Sequence, residues 1–285
     1  MSACNVLVKK QSVHILMDGL SYHSDGVVVR ISQKCFTMPT LHACIATIGA
    51  GGAAMIFSIK AGEVFSSFDE LVDGAEDEFP SIFDRHRDLF EQCEFSDCEL
   101  YVAGWSKASN QAEAYMMRIH DPKAQEFWNE ATTGSEYSAE AFRLQKLDGI
   151  VTNPPPDVSE LKAAGMSFNC RPEEIGEVMS PDVGLLHLME VQRRKKTPLR
   201  PELDAHYWVG GLALLTSIDR TGITQRVLHR WTEDKVGEVV TPRPIDWKAW
   251  RASRVVAGAA IPEGLSRLQR ERMEKKARKG TLRAV

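Results

Sequence analysis

The sequence predicts an α+β layered sandwich, in which two antiparallel sheets face each other and helices cover both outer faces. Three observations predict it. Short β-branched runs broken by turn residues fill the first fifty positions, apolar residues then recur at helical spacing, and strand-like runs return twice further along. This order of elements is compatible with other α+β folds as well.

The first strands are Val6–Val8 and Val13–Met17, separated by Lys9-Lys10-Gln11-Ser12. Ser24-Asp25-Gly26 turns the chain into Val27–Ile31, Phe36–Met38 stops at Pro39, and Ala43–Ile48 runs into Gly49-Ala50-Gly51-Gly52. From Ala53 to about Cys93, the positions of Met55, Phe57, Ile59, Phe68, Leu71, Phe83 and Phe90 predict two or three helices, punctuated by Gly62, Gly74 and Pro80. Cys98–Trp105 and Ala112–Ile119 read as a hairpin pair. Residues 138–147 and 172–193 read as helices, with Pro154-Pro155-Pro156 as an extended spacer between them. Tyr207–Ile218 and Ile223–Trp231 read as the last strands, so residues 1–245 are expected to form one domain and 246–285 a basic extension.

Composition excludes little but directs the search. Of 285 residues, 43% are hydrophobic and 26% charged, which suits a globular chain with a substantial core. No apolar run approaches the ~18 residues of a membrane helix, and the N-terminus lacks a signal-peptide pattern, so no membrane partner and a cytoplasmic location are expected. Cys4, Cys35 and Cys44 sit in strand-like contexts that suit buried thiols. Cys93 and Cys98 are not at a strong zinc spacing, so neither metal nor cofactor is expected. The net charge is −4, yet residues 266–283 hold eight Lys/Arg against two Glu, so a nucleic-acid contact is expected nowhere but in this tail.

Val13-His14-Ile15-Leu16-Met17-Asp18-Gly19, Lys34 before a short strand, and Ala46-Thr47-Ile48-Gly49-Ala50-Gly51 resemble the proteasome β-type N-terminal-nucleophile (Ntn) hydrolases. Asp204-Ala205-His206-Tyr207-Trp208-Val209-Gly210-Gly211 resembles a stretched version of that family's Asp-Ala-x-x-Gly-Gly turn. Ser2, Asp18 and Lys34 stand sixteen residues apart, which matches the family's nucleophile–Asp–Lys register. The resemblance covers the layout of residues 2–240 and implies a four-layer αββα fold. Its specific motifs lie in the first fifty residues.

The resemblance also implies a chemistry. Ser2 would be the nucleophile and its α-amine the general base, with an ordinary pKa of about 7.7–8.0 suited to proton transfer near neutrality. Lys34 would favour the less positive forms of both groups, Asp18 would orient Lys34, and a backbone N–H near Gly51 (or Gly49) would receive the oxyanion. The substrate would be a peptide or other amide. The family's usual nucleophile is Thr, its serine before Gly-Gly is here Val209, and two residues are inserted after Ala205. The scheme requires removal of Met1, because an acylated Ser2 nitrogen is no base.

Singly, each residue has an ordinary explanation: Asp18-Gly19 as a turn, Lys34 as a strand-edge lysine, Gly49–Gly52 as a strand-to-helix turn. His14, His42 and His229 are expected to be structural, and Trp208 and Trp231 to be core or interface aromatics. Two functions are therefore expected in competition. One is a proteasome-like serine-type peptidase or amidohydrolase. The other is a catalytically silent Ntn-fold subunit of a homo-oligomer or larger particle, such as a phage virion component.

Overall fold

A computed structural model describes residues 2–91, 97–120, 125–131, 137–163, 175–198 and 203–257. The chain is α+β and divides into a unit at Met1–Pro242 and a second at Arg243–Val285. The first unit opens with β1 (Cys4–Lys9), β2 (Ser12–Asp18), β3 (Leu20–Tyr22), β4 (Val28–Ile31), β5 (Cys35–Met38) and β6 (Ala43–Gly49). Helices α1 (Ala53–Val64), α2 (Phe68–Arg85) and α3 (Arg87–Glu91) precede β7 (Cys98–Ser106) and β8 (Gln111–Ile119). Then come α4 (Gln125–Ala131), β9 (Gln145–Leu147), β10 (Ile150–Asn153), α5 (Val158–Ala163), α6 (Ile175–Val178) and α7 (Val183–Arg193). Strands β11 (Lys196–Thr197), β12 (His206–Tyr207), β13 (Leu212–Asp219) and β14 (Gly222–Arg230) complete this unit. The second unit contains α8 (Trp247–Ala257), whose first turn is capped by Asp246 Oδ1 accepting from the Lys248 and Ala249 amides at 3.0 and 2.9 Å.

Two five-stranded antiparallel sheets carry the first unit, in the orders β10-β1-β2-β13-β14 and β5-β6-β7-β8-β9. Strand periodicity sorts their side chains. Cys4, Val6, Ile15 and Met17 of the first sheet form one apolar cluster with Cys44, Ala46, Tyr101, Ala103 and Met116 of the second. The alternate residues Ala43, Ile45, Leu100, Val102 and Met117 cluster instead with Phe57 of α1 and Phe68, Leu71 and Phe79 of α2. Strands β6 and β7 are therefore buried on both faces, which is why they read as unbroken apolar runs. On β1, Asn5 alternates with Cys4 and Val6, and its buried amide exchanges hydrogen bonds with Gln192 of α7 at 2.8 and 3.0 Å. That reciprocal pair satisfies two polar groups otherwise expensive to bury.

Four sequence expectations need correction. Residues 138–147 do not form a helix: 145–147 are β9, and the preceding backbone is held by side chains. Gln145 Oε1 accepts from the Ser138 amide, Glu76 Oε1 accepts from the Leu144 amide, and Arg118 donates to the Tyr137 and Ser138 carbonyls. Where residues 172–193 are described, α6 and α7 are separate, with Ser180-Pro181 between them; residues 172–174 lie outside the described chain. Ile150–Asn153, not anticipated as a strand, pairs with β1. The run from Tyr207 to Ile218 is interrupted at Trp208–Gly211, where the backbone turns with Gly211 at φ 72°. Cys93 and the basic stretch 266–283 lie outside the described residues.

Candidate active site

Ser2, Asp18 and Lys34 meet at one end of the sheets. The β1–β2 ladder continues one step past Cys4, with the Asp18 amide donating to the Ala3 carbonyl at 3.1 Å, so Asp18 lies opposite Ala3, the residue after Ser2. Lys34 directly precedes β5, and its carbonyl accepts from Thr47 of β6 at 3.2 Å. Its Nζ donates to Ser2 Oγ at 2.7 Å and to Asp18 Oδ1 at 2.9 Å, bridging the two sheets. Asp18 is fully buried and Ser2 only 6% exposed. A carboxylate removed from water needs donors, and Asp18 has three more. The Ala3 amide reaches Oδ1 at 3.1 Å, and the Leu20 and Gly210 amides reach Oδ2 at 3.2 and 3.4 Å.

Gly19, after Asp18, is required by packing rather than by its dihedrals. A β-carbon there would lie 2.6 Å from the Leu212 side chain, while the Gly19 amide donates to Gly210 O and its carbonyl accepts from Ser32. The Gly210-Gly211 turn is clamped from the other side. The Gly211 amide donates to Asp234 Oδ2 at 2.6 Å, and Asp234 forms a two-pronged pair with Arg193 at 2.7 and 2.8 Å. Arg193 also donates to Val209 O at 2.7 Å and lies over the Trp231 ring at 4.8 Å. Arg193 and the Asp234 side chain have no solvent exposure. Asp204, at the head of the motif read from the sequence, is exposed.

Tyr22 joins the site unannounced. Burial, followed by the Asp18 charge, pushes the pKa of its phenol well up, so it stays a neutral phenol. Its ring packs on Trp208 at 4.6 Å, and the buried Trp208 donates from Nε1 to Thr197 O at 2.6 Å. A tyrosine inside a short hairpin strand carries no motif. Arg193 sits in a basic run that reads as surface, and Asp234 in an ordinary acidic turn.

Gly51 is exposed in the loop between β6 and α1, at the sheet end from which Lys34 comes, and a β-carbon there would meet nothing within 4 Å. Gly49 differs: it has φ 99°, and a β-carbon would collide with the Asp97 carbonyl. The histidines lie elsewhere. His14 bridges Ser12 and Ser217 through its two ring nitrogens at 2.9 and 2.8 Å. His42, at φ 56°, lines a cleft of about 450 Å³ with Arg220 and Gln225, and His229 packs edge-on to Trp231. That cleft does not include Ser2, Asp18 or Lys34. Trp208 and Trp231 are buried, as expected for core aromatics.

No family model and no curated protein matches this sequence. Among the described residues, no helix is long and apolar enough to cross a membrane.

Proposed function

We propose that the chain is an Ntn-type hydrolase of proteasome β-like αββα architecture, with Ser2 as nucleophile toward peptide or other amide bonds. The observation that carries this reading is the Lys34 ammonium, held 2.7 Å from Ser2 Oγ and 2.9 Å from the buried Asp18. A strand-edge lysine kept for solubility would point to water. This one is drawn inward by a sealed carboxylate and a hydroxyl at the start of the first strand.

The chemistry follows from the charges. Once the peptide bond preceding Ser2 is cleaved, the α-amine takes the Ser2 proton as Oγ attacks the amide carbon. Lys34 stabilises the oxygen losing that proton, and Asp18 fixes Lys34 in place. A backbone amide in the Gly49–Gly51 segment receives the oxyanion. The α-ammonium then gives its proton to the departing amine, leaving an ester on Ser2 that water hydrolyses.

Intact-mass measurement, followed by reaction with a β-lactone, tests this. A chain beginning at Ser2 should gain one acyl mass, and Ser2→Ala should gain none. Equal labelling of both, or no labelling of the processed chain, rules the reading out.

A second reading, a silent subunit of an assembly, is favoured by α1. Met55, Ile59 and Val64 on that helix are each close to half exposed. Purification of the chain within a stoichiometric particle with Met1 intact would support it.

A further inference from the structure

A cleft away from Ser2 carries polar groups that the fold itself does not use. Lys34 precedes the first residue of β5 and Asp18 faces the start of β13, whereas the cleft runs along Thr37 and Pro39 to the Arg220–Gly222 turn, at the other ends of those strands. We propose that it binds a short peptide with a free carboxyl terminus, whose backbone pairs with Thr37 and whose carboxylate is taken by Arg220. This goes beyond the reading of Ser2 as a nucleophile and does not depend on it.

The case begins with the backbone. β5 and β14 are edge strands of the two sheets, and the cleft lies between them. The Thr47 amide donates to Lys34 O at 3.2 Å, so the hydrogen-bonded pairs with β6 fall at positions 34, 36 and 38. The amides and carbonyls of Cys35 and Thr37 therefore point away from β6, to the free edge. Gln225 covers the first of these residues, since its Nε2 donates to Cys35 O and to Thr216 Oγ1, both at 3.0 Å. Thr37 is the next one along. It lines the cleft, and among the described residues nothing donates to its carbonyl or accepts from its amide. An open strand edge is a template for an extended chain.

The side chains say what that chain must carry. The Cys35 carbonyl can only accept, so the Gln225 amide is fixed with its NH2 group toward β5 and both hydrogens used. Its Oε1 is left as an acceptor, which suits a peptide N–H. Arg220 stands at the tip of the β13–β14 hairpin. The acid beside it, Asp219, is turned into its own loop, where Oδ1 accepts from the Thr221 amide and hydroxyl at 2.7 and 2.6 Å. Among the described residues no carboxylate pairs with Arg220, and a guanidinium matches a free carboxylate in two-pronged fashion. His42, held at φ 56°, has a buried Nε2 without a hydrogen-bond partner, a costly state that a polar ligand group would relieve. Pro39 and Ile223 add apolar surface. The volume, about 450 Å³, lies within the ~300–1,000 Å³ of small-molecule sites. A peptide terminus meets these demands together, whereas an inorganic anion would use Arg220 and leave the strand edge and Gln225 idle.

The test uses the full-length Ser2→Ala chain, so that no turnover at Ser2 consumes the probe. Acetyl-trialanine is titrated by calorimetry; its cap removes the amino charge and leaves the carboxylate. A dissociation constant below about 1 mM is expected. Amidating the peptide's carboxyl terminus and substituting Arg220→Gln should each weaken binding about tenfold or more, and the two changes together should weaken it little further. Arg220→Gln alters an exposed hairpin tip, so its unfolding midpoint should match the parent's. Acetate at the peptide's concentration should not displace it. Absence of binding, equal binding of the amidated peptide, an unchanged constant in Arg220→Gln, or displacement by acetate overturns the proposal. None of these outcomes bears on the nucleophile reading, which acylation of Ser2 decides separately.

Discussion

Lys34 Nζ and Asp18 Oδ1 face each other at 2.9 Å, the carboxylate fully buried and the lysine side chain 13% exposed. The asymmetry matters for how the pair fails. Lys34→Met leaves a buried negative charge with backbone amides as its remaining donors, and should destabilise the fold by about 3–5 kcal/mol. Asp18→Asn leaves a lysine already near water and should cost less. Urea unfolding of both single variants and the double variant checks this, and the double should recover part of the Lys34→Met loss.

Arg193 and Asp234 form a pair buried at both ends, so the same logic predicts a loss of about 3–5 kcal/mol for Arg193→Met. Gly210→Ala should be comparably harmful, because its new methyl would run into the Arg193 guanidinium and the Asp234 carboxylate. Both should also slow Ser2 acylation, since the Gly210 amide is a ligand of Asp18. Wild-type acylation in a folded Gly210→Ala chain would disconnect this turn from the site.

Gly49 and Gly51 separate structure from chemistry. Gly49→Ala demands a β-carbon at φ 99° against the Asp97 carbonyl, and should destabilise by about 1–3 kcal/mol. Gly51→Ala places its methyl in open space and should change stability by less than about 0.5 kcal/mol. If substrate passes over Gly51, this variant raises the half-saturating substrate concentration while its unfolding midpoint stays put.

His14 makes stability depend on pH. Burial, then repulsion from Lys9, lowers its pKa from 6.5 to about 4. The unfolded chain binds a proton here near 6.5 and the folded chain only near 4, so the unfolded state holds more protons between those values. Stability is therefore complete above about pH 6.5 and falls as pH drops toward 4, by on the order of 3 kcal/mol. His14→Gln should flatten that part of the stability curve, read from unfolding midpoints at several pH values.

The fold class was legible because the sorting of apolar residues in β1, β2, β6 and β7 is local, and two-sided burial leaves a plain mark in sequence. Residues 138–147 misled because Arg118 and Glu76 satisfy that backbone from elsewhere in the chain, and Gln145 from within it, through side-chain contacts that a local reading of the segment does not register. The candidate site divides the same way. Asp18 and Lys34 belong to a spaced pattern, whereas Tyr22, Arg193 and Asp234 reach the site through contacts between distant elements. A phenol on a three-residue strand and an arginine inside a basic run look ordinary until the chain is folded.

The bond from the Gly210 amide to Asp18 spans 192 positions of sequence. During synthesis the first strand leaves the ribosome long before Gly210, Asp234 and the final hairpin exist. A chain carrying Ser2, Asp18 and Lys34 but stopping short of residue 234 has the three candidate groups and lacks the clamp on the turn that holds the carboxylate. Assembly of the candidate site thus waits for nearly all of the first unit to be made, and a truncated nascent chain holds its buried carboxylate with one donor fewer.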